Sequence, residues 1–90
     1  MTGGRWRIAP TTAYELIDEQ AVALNLKTGH YYRLNPVAAR ALDRLQEGSD
    51  LGELLDVIVS EFDVERGEAR ADLIDLVVEL QRFGLIAREP

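Results

Sequence analysis

Residues 21–36 read AVALNLKTGHYYRLNP, and this stretch decides the fold class. Residues 21–26 alternate between larger apolar side chains and small or polar ones, which is the two-residue period of a β-strand. The sequence KTG at residues 27–29 supplies a hairpin turn, and residues 30–34 return as a strand rich in aromatic side chains. The Asn-Pro pair that follows is typical of a helix start, because Asn caps the first turn and Pro needs no N–H there. The stretch therefore predicts a β-hairpin that leads directly into a helix.

Further elements extend from this hairpin in both directions. Residues 13–17 alternate as one more strand, joined to the hairpin by an Asp-Glu turn. Toward the C terminus, apolar side chains at the spacing i, i+3, i+4 and i+7 predict three helices, over residues 36–47, 51–61 and 65–83. The predicted domain is therefore α+β, with a three-stranded antiparallel sheet followed by a three-helix bundle (βββααα).

The N-terminal segment differs from the rest of the chain. Residues 1–12 contain a Gly-Gly pair, one Pro and a Thr-Thr pair, and they show no regular periodicity. We expect a flexible or loosely docked arm there, from which Trp6 and Ile8 can dock, and a single domain over residues 13–90.

Size and charge exclude several classes of protein. The chain has 90 residues, no Cys and a net charge of −6, so two domains, disulfides and thiol nucleophiles are excluded. A domain this small has little room for an enclosed substrate cavity, which argues against a self-contained enzyme. Residues 46–90 hold twelve acidic and four basic residues, and such a surface repels the phosphates of nucleic acid. No apolar run is long enough for a membrane span or a secretory signal, and we expect a cytoplasmic protein.

Few residues are candidates for catalysis or metal binding. His30 stands alone after a turn, and a lone surface His is far more often a turn residue than a base or a ligand. Asp72, Asp75 and Glu79 share the polar side of the third helix without a His or Cys, which is typical of a solvated face. We therefore expect no catalytic residue, no metal site and no cofactor.

The apolar arc of the third predicted helix is wider than packing against a core requires. Leu73, Leu76 and Val77 form an ordinary core stripe, whereas Ile74 and Val78 lie about 100° and 140° from Leu73 around the helix. Two interpretations stay open: the sheet or the N-terminal arm covers these two side chains, or a groove beside the helix is open to a partner.

The predicted strand over residues 30–34 is a second candidate binding surface. Residues 30–34 contain no Pro and carry two tyrosines, so an extended peptide can add to this strand through main-chain hydrogen bonds. In the simpler interpretation, Tyr32 and Leu34 fill the core while Tyr31 and Arg33 face water. Both interpretations can hold at once.

Two segments of the sequence resemble those of a known family. The hairpin AVALNLKTGHYYRLNP at residues 21–36 and the later LQRFGLI at residues 80–86 resemble the PqqD-like family, the precursor-peptide recognition elements of ribosomally synthesised, modified peptides (RiPPs). The resemblance covers about Thr12 to Arg88. Among members, the pattern TG-x-YY-x-LNP is most similar to the stand-alone leader-binding proteins of lasso-peptide biosynthesis.

The resemblance implies a fold, a site and partners. It implies a winged-helix-like domain in which a precursor leader peptide lies antiparallel to the third predicted strand, in a cleft beside the third helix. The implied peptide-binding residues are His30, Tyr31, Tyr32, Arg33, Leu34, Arg70, Leu73, Ile74 and Val77. The implied partners are the leader peptide, a transglutaminase-like leader peptidase and an asparagine-synthetase-like cyclase, and a Tyr and a Pro of the leader are expected in the apolar part of the cleft. The protein itself would be non-catalytic and would tether the leader.

Three other functions remain open on the sequence alone. The same recognition domain can serve a radical-SAM peptide maturase, for example in quinone-cofactor biosynthesis. A winged-helix DNA-binding protein has a similar inventory of elements, but residues 65–84 carry five acidic and three basic side chains, which disfavours DNA. An inert structural subunit is the third possibility, and it predicts no affinity for any short peptide.

Overall fold

The computed structural model describes residues 4–90 of the chain. These residues contain six strands and three helices. The strands are β1 (Arg5–Ile8), β2 (Thr12–Ile17), β3 (Gln20–Asn25), β4 (Tyr31–Leu34), β5 (Ser49–Asp50) and β6 (Ile86–Arg88). The helices are α1 (Pro36–Arg44), α2 (Leu51–Glu61) and α3 (Arg66–Arg82). The predicted βββααα order is confirmed in β2, β3 and β4 followed by the three helices. Among the described residues, no helix has the length and apolarity needed to cross a membrane.

The main sheet has the antiparallel order β2-β3-β4 and packs one face against α1. Directly paired residues share a face of the sheet, so Ala23, which pairs with Tyr14 and Tyr32, marks the inner face. Ala21 and Ala23 are fully buried, whereas Leu24 on the other face is only partly covered. The small side chains of β3 therefore face the core, because they let α1 approach the sheet closely. Leu26 lies just after β3 and is exposed.

Local capping interactions position the first two helices. The Asn35 side chain accepts a hydrogen bond from the Ala38 N–H at 2.9 Å, as the Asn-Pro pair predicts. Asp50 accepts from the Glu53 N–H at 2.8 Å, and the Glu53 side chain accepts from the Asp50 N–H at 3.1 Å. These reciprocal bonds form a capping box that begins α2.

The N-terminal segment departs from the expected arm. Arg5–Ile8 forms β1, the central strand of a second sheet with the order β5-β1-β6. Trp6 is only 4% exposed and belongs to the core, and Arg5 contacts Glu53 of α2 at 2.7 Å. The sequence could not reveal this strand, because its partners have two and three residues and lie far away along the chain. Residues 1–3, the start of the expected arm, lie outside the described residues.

The C-terminal end of α3 is tied to the hairpin. Asn25 is buried, and its side-chain N–H donates to the carbonyl of Phe83 at 2.9 Å. Its side-chain oxygen accepts from the Lys27 N–H in the hairpin turn, also at 2.9 Å. Gly84 then adopts a φ of 75° and lets the chain turn back into β6. One amide side chain thus connects the end of α3 to β3 and to the hairpin turn.

Candidate functional site

β4 is an edge strand, and part of its backbone faces away from the sheet. β3 is its neighbour on one side, and the other side of β4 is unpaired within the described residues. The Asn25 N–H donates to the His30 carbonyl at 3.0 Å, and hydrogen-bonded pairs alternate along an antiparallel ladder. The N–H and C=O groups of Tyr31 and Arg33 therefore point to the free edge. These groups can pair with one further extended chain.

Aromatic contacts hold this edge strand next to the end of α3. The rings of Tyr32 and Phe83 stack with their centroids 4.2 Å apart and their planes 18° apart. His30 meets the edge of the Tyr32 ring at a centroid distance of 6.5 Å. Because Phe83 caps α3, the stack places the last turn of the helix beside β4.

A cleft of about 350 Å³ lies between the start of α1 and α3. Asn35 and Val37 line one wall, directly after β4, and Leu76 and Glu79 line the facing wall on α3. Leu76, Glu79 and Phe83 share one side of α3 at i, i+3 and i+7. One row of residues therefore runs along α3 beside β4 and the start of α1, and it continues from the cleft to the aromatic stack.

The structure distributes the residues expected at the site over three environments. Four of them lie on β4 or just before it with half-buried or exposed side chains: His30, Tyr31, Tyr32 and Arg33. Tyr31 is 69% exposed, on the outer face of the sheet with Arg33. Three are buried in the core: Leu34, Leu73 and Val77. The remaining two, Arg70 and Ile74, lie on α3.

Arg70 and Ile74 occupy the flank of α3 that faces away from this cleft. Ile74 lies about 100° from Leu73 in one sense and Asp72 lies about 100° in the other, because successive helical residues are rotated by about 100°. Asp72 lines the cleft beside α1, whereas Arg70 lines a separate depression with Arg66 and Leu51. Ile74 is half buried against the core, and Val78 is exposed. The structure therefore does not bring Arg70 and Ile74 to the wall opposite Val37.

Of the residues expected at the site, Leu73 also lines the cleft. Sequence reasoning missed Val37 of α1 and Asp72, Leu76 and Glu79 of α3, which line it as well. A helical projection of α3 contains them as one stripe, but it also contains the stripe of Arg70 and Ile74. Nothing local to α3 distinguishes the two flanks, because only contacts with the hairpin decide which one faces β4.

The side chains with perturbed pKa values lie away from the cleft. Burial raises the pKa of Tyr14 to about 12, helped by its hydrogen bond to Asp43 at 2.9 Å. The backbone N–H of Asp50 and the guanidinium of Arg5 lower the pKa of Glu53. Both groups connect secondary-structure elements. Residues 4–90 hold no group of three or more His, Asp or Glu side chains arranged to bind a metal.

The family of the chain follows from comparison with known proteins. Residues 20–86 match the family described as coenzyme PQQ synthesis protein D (PqqD). The chain belongs to the PqqD family. The matched region contains β3, β4 and all three helices, and hence both walls of the cleft in this PqqD-family domain.

Two solved structures share this architecture over nearly their whole length. TbiB1 in complex with the TbiA(beta) leader peptide is 32% identical, with a TM-score of 0.82 over 89% of this chain and 93% of that one. Lasso peptide synthetase B1 complexed with the leader peptide is 30% identical, with a TM-score of 0.78 over 91% and 96% of the two chains. A search of curated proteins found no significant match.

Proposed function

We propose that this PqqD-family domain binds the leader segment of a ribosomally made precursor peptide of the lasso type. The observation that supports this most directly is the free edge of β4, where the backbone groups of Tyr31 and Arg33 point outward next to a cleft. Two similar solved structures each contain a leader peptide. Strand addition supplies affinity through main-chain hydrogen bonds, and pockets beside the strand supply specificity.

The leader would lie as an extra strand along β4. Alternate side chains of an extended peptide point to opposite faces, so half of them would point toward α3 and the cleft. Apolar leader residues would contact Val37 and Leu76, and the Tyr32–Phe83 stack would bound the site at its other end. The proposed contacts of Arg70 and Ile74 with the leader require the peptide to cross α3 and reach its other flank. Ile74→Ala distinguishes the two paths, since it leaves affinity unchanged if the peptide stays on the Leu76 side.

The proposed role is tethering without chemistry. A bound leader keeps the rest of the precursor at high effective concentration near a leader peptidase of the transglutaminase-like class and a cyclase of the asparagine-synthetase-like class. A second candidate is the same recognition role for a radical-SAM peptide maturase, which the match to coenzyme PQQ synthesis protein D favours. Copurification of the domain with either class of enzyme distinguishes the two pathways.

A titration tests the proposal. Fluorescein-labelled TbiA(beta) leader peptide should bind the domain with saturable fluorescence polarisation, whereas a scrambled peptide of the same composition and a DNA duplex should not. Equal signals from the native and scrambled peptides would contradict sequence-selective leader binding. Binding of the duplex alone would favour the DNA-binding alternative.

A further inference from the structure

The α3 wall of the cleft carries negative charge that forms no ion pair within the described residues. Asp72, Asp75 and Glu79 line the cleft, and no Lys, Arg or His side chain of the described residues lines it with them. Within residues 4–90, none of these three carboxylates takes part in an ion pair or a side-chain hydrogen bond. The opposite wall is lined by the neutral side chains of Asn35, Val37 and Ala38.

Several acidic residues elsewhere in the fold are paired. Arg5 contacts Glu53 at 2.7 Å, and Arg40 contacts Glu61 at 2.8 Å. Arg66, in the first turn of α3, contacts Asp56 of α2 at 3.0 Å. Other carboxylates, such as Glu15 and Glu68, also lack an ion pair within the described residues, but they do not line the cleft.

The nearest basic side chains form no ion pair with this wall within the described residues. Arg33 of β4 lies on the outer face of the sheet, paired with Val22, whereas the cleft opens on the other side of the strand. Arg82, three residues after Glu79 on α3, forms no ion pair within the described residues. A guest chain in the cleft can therefore supply compensating positive charge.

The spacing of the carboxylates suits an extended guest. Asp75 and Glu79 are four helical residues apart, which is about 6 Å along the axis at 1.5 Å per residue. Residues i and i+2 of an extended chain point to the same side and are about 6.7 Å apart. Two side chains on alternate leader residues can therefore meet two carboxylates on α3 at once.

We propose that the bound leader presents basic side chains at two alternate positions, i and i+2, to the Asp72, Asp75 and Glu79 wall of the cleft beside the β4 edge. The inference rests on the proposed leader binding and adds the charge class of the preferred leader. An acidic leader is disfavoured, because it would place like charges together along this wall. Added salt should weaken binding of the basic leader, since screening acts on partly exposed charges.

A charge scan of one probe peptide tests the inference. Fluorescein-labelled TbiA(beta) leader peptides are prepared in which successive i, i+2 pairs of residues are replaced by Lys-Lys or by Glu-Glu. At one register we expect the Lys-Lys peptide to bind about fivefold or more tightly than its Glu-Glu counterpart, as two exposed ion pairs provide. That preference should disappear in the triple variant Asp72→Asn/Asp75→Asn/Glu79→Gln.

The control variant changes the net charge equally but away from the cleft. Glu15→Gln/Glu19→Gln/Glu47→Gln removes three exposed carboxylates that do not line it, and the Lys-Lys preference should persist. Equal binding of Lys-Lys and Glu-Glu peptides at every register would overturn the inference and leave leader binding intact. Loss of the preference in both triple variants would assign it to net charge and would also overturn the inference. Failure of the unsubstituted leader and of every scanned peptide to bind would instead contradict the proposed function itself.

Discussion

The rings of Tyr32 and Phe83 stack at 4.2 Å, and this contact joins the edge strand β4 to the end of α3. Both side chains are half buried and pack against the core. The stack therefore connects the strand that would receive a leader to the helix that forms the facing wall of the cleft.

Removing one ring of this stack should destabilise the domain. We expect Tyr32→Ala to lower the free energy of unfolding by about 1–3 kcal/mol, from the lost aromatic contact and the lost burial. Tyr32→Phe keeps the ring and should cost less than about 0.5 kcal/mol. Urea unfolding followed by circular dichroism measures both. Similar losses for the Phe and Ala variants would show that the hydroxyl group, not the stack, makes the contribution.

Trp6 provides a test of the N-terminal strand. Because its side chain is buried between β1 and the core, Trp6→Ala should cost about 3–5 kcal/mol. Its indole N–H is buried without a hydrogen-bond partner in the described residues, so Trp6→Phe removes an unsatisfied donor and should cost clearly less. Thermal unfolding distinguishes the two variants. An unchanged melting temperature for Trp6→Ala would favour a loosely docked arm over an integral β1.

How far the sequence predicts this fold depends on whether a signal is local. The hairpin, the Asn35 cap and the Asp50 capping box depend on neighbours within a few residues, and all three are present. Strands β1, β5 and β6 pair across the length of the chain and have only two to four residues each, so no periodicity marks them.

The same distinction explains the candidate site. Alternation in β4 correctly predicts that Tyr31 and Arg33 face out and that Leu34 faces in. The rotation of α3 about its axis follows from long-range contacts, namely the Tyr32–Phe83 stack and the hydrogen bond from Asn25 to the Phe83 carbonyl. A helical projection lacks those contacts and therefore could not choose between the Leu76 flank and the Ile74 flank.

Gly84 should be the less tolerant of two glycines that share a left-handed conformation. Gly84 and Gly29 have φ values of 75° and 79°, so Ala is strained at both positions. A Cβ at Gly84 would lie 2.7 Å from the Asn25 side-chain nitrogen, whereas nothing lies within 4 Å at Gly29. We expect Gly29→Ala to cost about 1 kcal/mol and Gly84→Ala distinctly more. Chemical denaturation of the two variants measures the difference, and equal losses would argue against the close approach of Asn25.

Tyr14 should make stability fall at high pH. Burial and the hydrogen bond to Asp43 raise its pKa from 10.0 to about 12. The unfolded chain loses this proton first, so the stabilisation is fully present below pH 10 and is lost as the pH rises toward 12. Ultraviolet absorbance should show one late-titrating tyrosine, and Tyr14→Phe should remove it. A late transition that persists in Tyr14→Phe would assign the raised pKa to another tyrosine.

The outward N–H of Arg33 gives the most direct test of strand addition to β4. Proline is tolerated on an edge strand where its missing N–H faces solvent, so Arg33→Pro should retain the fold and remove one donor at the free edge. Arg33→Ala removes the side chain and keeps that N–H. Circular dichroism establishes that both variants are folded, and fluorescence polarisation with the TbiA(beta) leader peptide then compares their affinities. Our account predicts that Arg33→Pro weakens binding about tenfold or more and that Arg33→Ala has a much smaller effect. Equal affinities of the two folded variants would contradict leader binding by addition to β4.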